Sequence, residues 1–128
     1  MDIERLKRFD LLAQLPAQQL ENLAGPVNEW SAQTGETLIK QGGSSFQLFA
    51  IESGTVDVCD HGEPVATVGP GEVVGEIGVQ KRGLRKATVE VAEEVTGFFL
   101  TNSQVEMLRR EAPEFEERLE RLIEQRGH

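Results

Sequence analysis

The sequence predicts a mainly β domain with flanking helices. An eight-stranded antiparallel, jelly-roll-like barrel or sandwich sits between N-terminal helices and a C-terminal helical segment. Two observations carry that expectation. Between residues 27 and 100, short runs rich in β-branched and aromatic residues are broken by glycine-containing turns roughly every ten residues. On either side of that stretch, apolar residues recur at helical spacing. The chain has 128 residues, the length of one domain, and 38% apolar residues before its 13 glycines are counted, enough for a packed core.

Charge and composition remove several function classes. Thirteen Lys and Arg stand against 22 Asp and Glu, a formal net charge of −9. A free-standing nucleic-acid binder normally carries the opposite sign, because it must neutralise phosphates, so no direct DNA binding is expected. No apolar run approaches the roughly 18 residues of a membrane-spanning helix. The N-terminal MDIERLKRFD is charged from residue 2 and has no apolar signal-like core. Cys59 is the single cysteine and cannot form an internal disulfide. A cytoplasmic protein with no membrane association is the expectation.

Residues 1–26 read as helices. Ile3, Leu6, Phe9, Leu11, Leu12 and Leu15 repeat at helical spacing, and Pro16 opens a second short helix with Leu20, Leu23 and Ala24 on one face. Gly25-Pro26 ends it, with a left-handed glycine cap expected at Gly25. The β region, 27–100, contains eight runs: Val27–Gln33, Thr37–Lys40, Phe46–Glu52, Thr55–Asp60, Val65–Val68, Glu72–Val74, Ala87–Ala92 and Thr96–Leu100. In Leu48–Ile51 both alternating sets are apolar, so that strand is expected to be covered on both faces, whereas Val56 and Val58 alternate with Asp57 and Cys59 in a half-buried pattern. Helix returns over 103–126. Ser103 and Glu106 have capping-box spacing, and Pro113 suits a first helical position. Phe115, Leu119, Leu122 and Ile123 form one apolar face, and Glu114–Arg118 and Glu117–Arg121 are favourable i,i+4 pairs.

Residues 75–88 do not look like a routine connection. They read Gly-Glu-Ile-Gly-Val-Gln-Lys-Arg-Gly-Leu-Arg-Lys-Ala-Thr, and follow the turn Gly69-Pro70-Gly71-Glu72. Lys81, Arg82, Arg85 and Lys86 cluster in an otherwise acidic chain. Such a run suits a solvated loop tip or an anion site. Gly75 and Gly78 flank Glu76-Ile77 and allow a tight turn whose free amides cradle an anion. Arg85 can close on the same anion with a two-pronged hydrogen bond. A carboxylate beside the cradle would repel a phosphate, but it can accept from a neighbouring hydroxyl such as a ribose 2′-OH. Cradle, arginine and carboxylate together describe a sugar-phosphate site.

This segment resembles the phosphate-binding cassette of the cyclic nucleotide-binding domain family, found in catabolite-activator-type regulators, kinase regulatory subunits and gated channels. Gly75, Glu76, Ile77, Gly78, Val79, Arg85, Ala87 and Thr88 stand at the matching positions. The likeness extends to Gly35-Glu36, Leu38-Ile39 before Gln41-Gly42, Leu48–Ile51 before Ser53-Gly54, and Gly69-Pro70-Gly71-Glu72. It covers nearly the whole chain, so residues 1–128 are taken as one domain. The resemblance implies that Arg85 pairs with the exocyclic oxygens of a cyclic phosphate and that Glu76 accepts from the 2′-OH. It further implies that the amides of Ile77, Gly78 and Lys86 hold phosphate or sugar, with Ala87 and Thr88 completing the site. Leu84 replaces the proline that many members carry before the arginine, and Gly43 replaces an acidic turn residue. Lys86 stands where cyclic-GMP-selective members have Thr, so cyclic AMP is favoured over cyclic GMP.

An enzyme is not expected. A cupin-type metal site wants clustered histidines, and this chain has only His61, in a turn, and His128, at its end. No nucleophile–base pair stands out, and no cofactor or metal is implied. The expected output is signalling through the C-terminal helix to a partner or a second subunit, with Phe115, Leu119, Leu122 and Ile123 as the candidate contact face. The alternative is a nucleotide-free interaction module with the same fold.

Overall fold

The computed structural model describes residues 2–25, 28–39, 47–75 and 88–126. Its N-terminal layer is three short helices, α1 (Ile3–Lys7), α2 (Asp10–Ala13) and α3 (Ala17–Ala24). Asp2 caps α1 by accepting from the Glu4 amide at 3.0 Å. Extended backbone at Phe9 separates α1 from α2 and turns its ring inward, where it is 1% exposed. Pro16 is extended and precedes α3 as its N-cap rather than occupying its first turn. Gly25 corrects an expectation: its φ of −65° is right-handed, so α3 ends without a left-handed cap.

Six strands follow among the described residues: β1 (Asn28–Ala32), β2 (Thr37–Ile39), β3 (Leu48–Asp60), β4 (Glu63–Val68), β5 (Val73–Val74) and β6 (Thr88–Leu100). All pair antiparallel in one sheet that is not closed. The eight expected runs become six strands because two pairs of runs each continue as one 13-residue strand, β3 and β6. These two strands change register between Ile51 and Val56, and the break divides the sheet in two. In the first half, Leu48–Ser53 of β3 pairs with Thr96–Leu100 of β6, with β5 and β1 outside them. In the second half, Val56–Cys59 pairs with Thr88–Val91, with β4 and β2 outside.

The two halves fold face to face, because residues from both occupy one buried cluster. Phe49, Ile51 and Val74 come from the first half, and Val56, Val58, Val89 and Val91 from the second. This is the jelly-roll arrangement, with the inter-sheet core formed by alternate residues. The other face of the first half carries Leu48, Ala50, Val73, Phe98 and Leu100 into a second core beneath the helices. The expectation that Leu48–Ile51 is covered on both faces therefore holds.

Two helices close the chain, α4 (Asn102–Glu111) and α5 (Pro113–Arg126). The cap of α4 differs from the expected Ser103–Glu106 box. Thr101 accepts from the Gln104 amide at 3.3 Å, and the Gln104 side chain accepts from the Thr101 amide at 2.9 Å. β6 ends at Leu100, so the helix must start at once, and Thr-x-x-Gln fits there two residues ahead of Ser-x-x-Glu. Phe115 and Leu119 of α5 are fully buried in the helical core, and Phe9 packs edge-on against Phe98 with ring centres 5.2 Å apart. The Glu117–Arg121 pair forms at 2.9 Å, whereas Arg118 turns to Asp10 of α2, also at 2.9 Å, instead of to Glu114.

β3 and β6 approach closely because two positions have no side chain. A Cβ on Gly97 would overlap the Ala50 carbonyl oxygen, and one on Gly54, whose φ is +85°, would overlap that of Glu94. Gly97→Ala should therefore lower stability by about 2–3 kcal/mol, seen as a fall in melting temperature of roughly 10 °C. Gly25→Ala meets nothing within 4 Å and should leave the melting temperature within about 2 °C.

Candidate ligand-binding site

The structure describes both ends of the expected cassette, Gly75 and Thr88. Glu76, Ile77, Gly78, Arg85, Lys86 and Ala87 lie outside the described residues, as do Lys81 and Arg82. Gly75 follows β5 with a φ of +99°, a conformation that glycine adopts at low cost. Thr88 opens β6 opposite Cys59 of β3. β5 belongs to the first half of the sheet and Thr88 to the second, so the cassette connects the two halves. Val74 and Val89, the residues just outside its ends, are both buried in the inter-sheet core.

The entry to the cassette is held by backbone and side-chain hydrogen bonds. The Gly71 amide donates to the Ile51 carbonyl at 2.9 Å, and the Ile51 amide donates to Glu72 at 3.0 Å. Gly71 has a φ of +87°, and the Glu72 carboxylate accepts from the Gly69 amide at 3.2 Å. Glu72 thus closes the turn Gly69-Pro70-Gly71-Glu72 in which the sequence placed it, and its side chain is what locks that turn. Its signal was the three-residue spacing from Gly69, the span over which a side chain reaches back to a turn amide.

The electrostatic setting is lopsided. The described strands and turns, residues 28–39, 47–75 and 88–100, hold ten Asp and Glu and no Lys or Arg. The basic cluster of the cassette is therefore the main source of positive charge in the β region, and attraction of an anion to this part of the chain is local to it. A cleft of about 220 Å³ lies between the turn before the cassette and the last helix, lined by Phe9, Asp10, Gly71, Val73, Arg118 and Leu122 among others.

Cys59 and His61 lie outside the cassette. Cys59 is buried, and burial, helped by the charges of Glu90 and Asp57, pushes its thiol pKa up. His61 occupies the exposed β3–β4 turn with a φ of +51° and lies 2.7 Å from Asp60. No group of three or more His, Cys, Asp and Glu able to hold a metal occurs among the described residues.

Residues 29–112 match the cyclic nucleotide-binding domain family. The chain belongs to that family. Among curated proteins it is 37% identical over 83 residues to the acetyltransferase Pat of Mycolicibacterium smegmatis, a match covering 62% of this chain and 25% of that protein. The chain thus spans a quarter of that relative's length. Among solved structures, cAMP-bound PfPKA-R superposes with a TM-score of 0.87 at 20% identity, covering 98% of this chain and 43% of the other. The regulatory subunit of a cAMP-independent protein kinase A from Trypanosoma cruzi, bound to guanosine, superposes at 0.76 with 22% identity, covering 81% and 38%. At these identities the superpositions establish the shared fold. Among the described residues, no helix is long and apolar enough to cross a membrane.

The pairing of Cys59 with Thr88 ties thiol reactivity to the anchoring of the cassette's exit. With its pKa raised and its side chain covered, Cys59 should react with Ellman's reagent at pH 8 at least about a hundredfold more slowly in the folded protein than in denaturant. Equal rates would show that this end of the cassette is not held as described.

Proposed function

We propose that residues 1–128 form a single, non-catalytic sensor domain that binds cyclic AMP in the 75–88 cassette, in preference to cyclic GMP. The domain acts in the cytoplasm, with no cofactor, and passes the bound state through its C-terminal helix to a partner protein or second subunit. The observation that carries this reading is the ordered cassette pattern, in a chain of the cyclic nucleotide-binding family, on two anchored ends. Gly75 has a positive φ where the cradle would start, and Thr88 pairs in β6.

In this reading Arg85 makes a forked, charge-assisted pair with the exocyclic phosphate oxygens. Glu76 accepts from the ribose 2′-OH, and the amides of Ile77, Gly78 and Lys86 hold the remaining phosphate and sugar oxygens. Ala87 and Thr88 complete the turn into β6. Lys86 in place of Thr favours adenine over guanine.

Signalling requires that the ligand favour one of two placements of the terminal helix. Two features support α5 as that element. It faces the turn that enters the cassette across the cleft, and the Arg118–Asp10 pair fastens it to α2. Phe115 and Leu119 are buried in the chain's own core, while Leu122 and Ile123 are only partly covered. A partner would therefore meet Leu122 and Ile123 in the docked state, and Phe115 and Leu119 only after the helix moves.

Calorimetric titration of nucleotide-stripped protein tests the reading. Cyclic AMP should bind saturably and more tightly than cyclic GMP, and Arg85→Ala should abolish the heat. At a hundredfold excess over the dissociation constant, the ligand should add about 2.7 kcal/mol and raise the melting temperature by roughly 10 °C. No heat and no melting shift with either nucleotide at millimolar concentration would overturn the sensor role. Tighter binding of cyclic GMP would overturn the adenine preference alone.

A further inference from the structure

Resting on the nucleotide site proposed above, we infer that Glu72 is a positioning residue for it. Its side chain holds the entry of the cassette in the shape that receives the ligand. The observation behind this is that the sheet contains the same turn twice. In one copy the Gly71 amide donates to the Ile51 carbonyl at 2.9 Å and the Ile51 amide to the Glu72 carbonyl at 3.0 Å. The Gly69 amide then donates to the Glu72 carboxylate at 3.2 Å. In the other copy the Gly35 amide donates to the Val91 carbonyl at 2.9 Å and the Val91 amide to the Glu36 carbonyl at 2.9 Å. Here the Gln33 amide donates to the Glu36 carboxylate at 2.8 Å. The two glycines have matching φ values of +87° and +92°. Each turn leads into a short strand, β5 or β2, and each is clamped to the long strand on which that short strand pairs, β3 or β6.

The two copies differ in what depends on them. β5 has two residues, paired with Phe49 and Ala50 of β3. So short a ladder does little to fix the direction in which the chain leaves at Gly75. The turn before it supplies that direction, and Glu72 supplies the turn's side-chain acceptor. The exit of the cassette is held differently. Thr88 pairs with Cys59, and Val89 beside it has Val58 on one side and Ile39 on the other, at the start of a 13-residue strand. The entry is therefore the less determined end. Glu72 is exposed, and a hydrogen bond made in water adds little to global stability. A cradle that spends part of its time misaligned, however, loses affinity in proportion to the competent fraction. Removing this acceptor thus affects binding more than folding.

The test measures cyclic AMP binding kinetics, and amide hydrogen exchange without nucleotide, on the full chain and three variants. Glu72→Ala should bind at least about threefold more weakly through slower association, with dissociation changed less than about twofold. Glu72→Gln keeps an acceptor oxygen at the same reach and should bind within about twofold of the parent. Glu36→Ala breaks the same bond in the other turn and should also bind within about twofold, because β6 keeps its pairing with β3. All three should melt within about 5 °C of the parent. Without nucleotide, the Gly71 and Ile51 amides should exchange at least about threefold faster in Glu72→Ala than in the parent. Equal affinity of Glu72→Ala and the parent, or equal weakening by Glu36→Ala, would overturn the positioning role. A parent that binds neither cyclic nucleotide overturns the sensor reading instead. The positioning role is then decided by exchange, and unchanged Gly71 and Ile51 rates in Glu72→Ala overturn it.

Discussion

The structure depends on how closely β3 and β6 lie against each other. Each strand serves both halves of the sheet, so their pairing holds the inter-sheet core on one face and the helical core on the other. Gly97 against the Ala50 carbonyl and Gly54 against Glu94 permit that approach. The register change beside Gly54 lets one ladder belong to two packed layers. A jelly roll built on two long bent strands needs few other connections, which suits a chain of 128 residues.

The same frame holds both ends of the cassette that the proposed function assigns to the ligand. Its two ends leave different halves of the sheet, and Val74 and Val89 are the last buried residues before each end. The entering turn is fixed to β3 by the paired hydrogen bonds of Ile51 with Gly71 and Glu72. On the far side of the cleft stands α5, fastened by Phe115 and Leu119 in the core and by Arg118 to Asp10. Arg109 of α4 forks onto Glu116 of α5 at 2.6 and 3.2 Å, so the two helices are linked to each other. The last two helices and α2 therefore belong to one packed unit.

Much of this was legible in residue order. The double apolar alternation of Leu48–Ile51 announced a strand between two cores, and Pro113 marked the start of α5 to the residue. The strand count was harder, because Ser53-Gly54 and Glu93-Glu94 look like turns but are breaks in register inside continuous strands. Gly25 illustrates the opposite error: glycine permits a left-handed cap without requiring one, and here the backbone stays right-handed. The α4 cap was misplaced because Thr101–Gln104 and Ser103–Glu106 both satisfy the same spacing. Only the end of β6 at Leu100 decides between them. The proposed ligand site rests on a pattern of residue types, since anion cradles and forked arginines require particular chemistry at particular intervals. The burial of Cys59 depends on long-range contacts, and local periodicity does not encode those.

The most direct test of the central claim is an amide nitrogen–proton correlation spectrum recorded with and without cyclic AMP. The account predicts large shifts at Gly75, Thr88 and Val89, with a second group of shifts along α5 near Arg118 and Leu122. A spectrum unchanged at saturating nucleotide, or shifts confined to residues remote from both Gly75 and Thr88, would contradict the claim that this cassette is the ligand site.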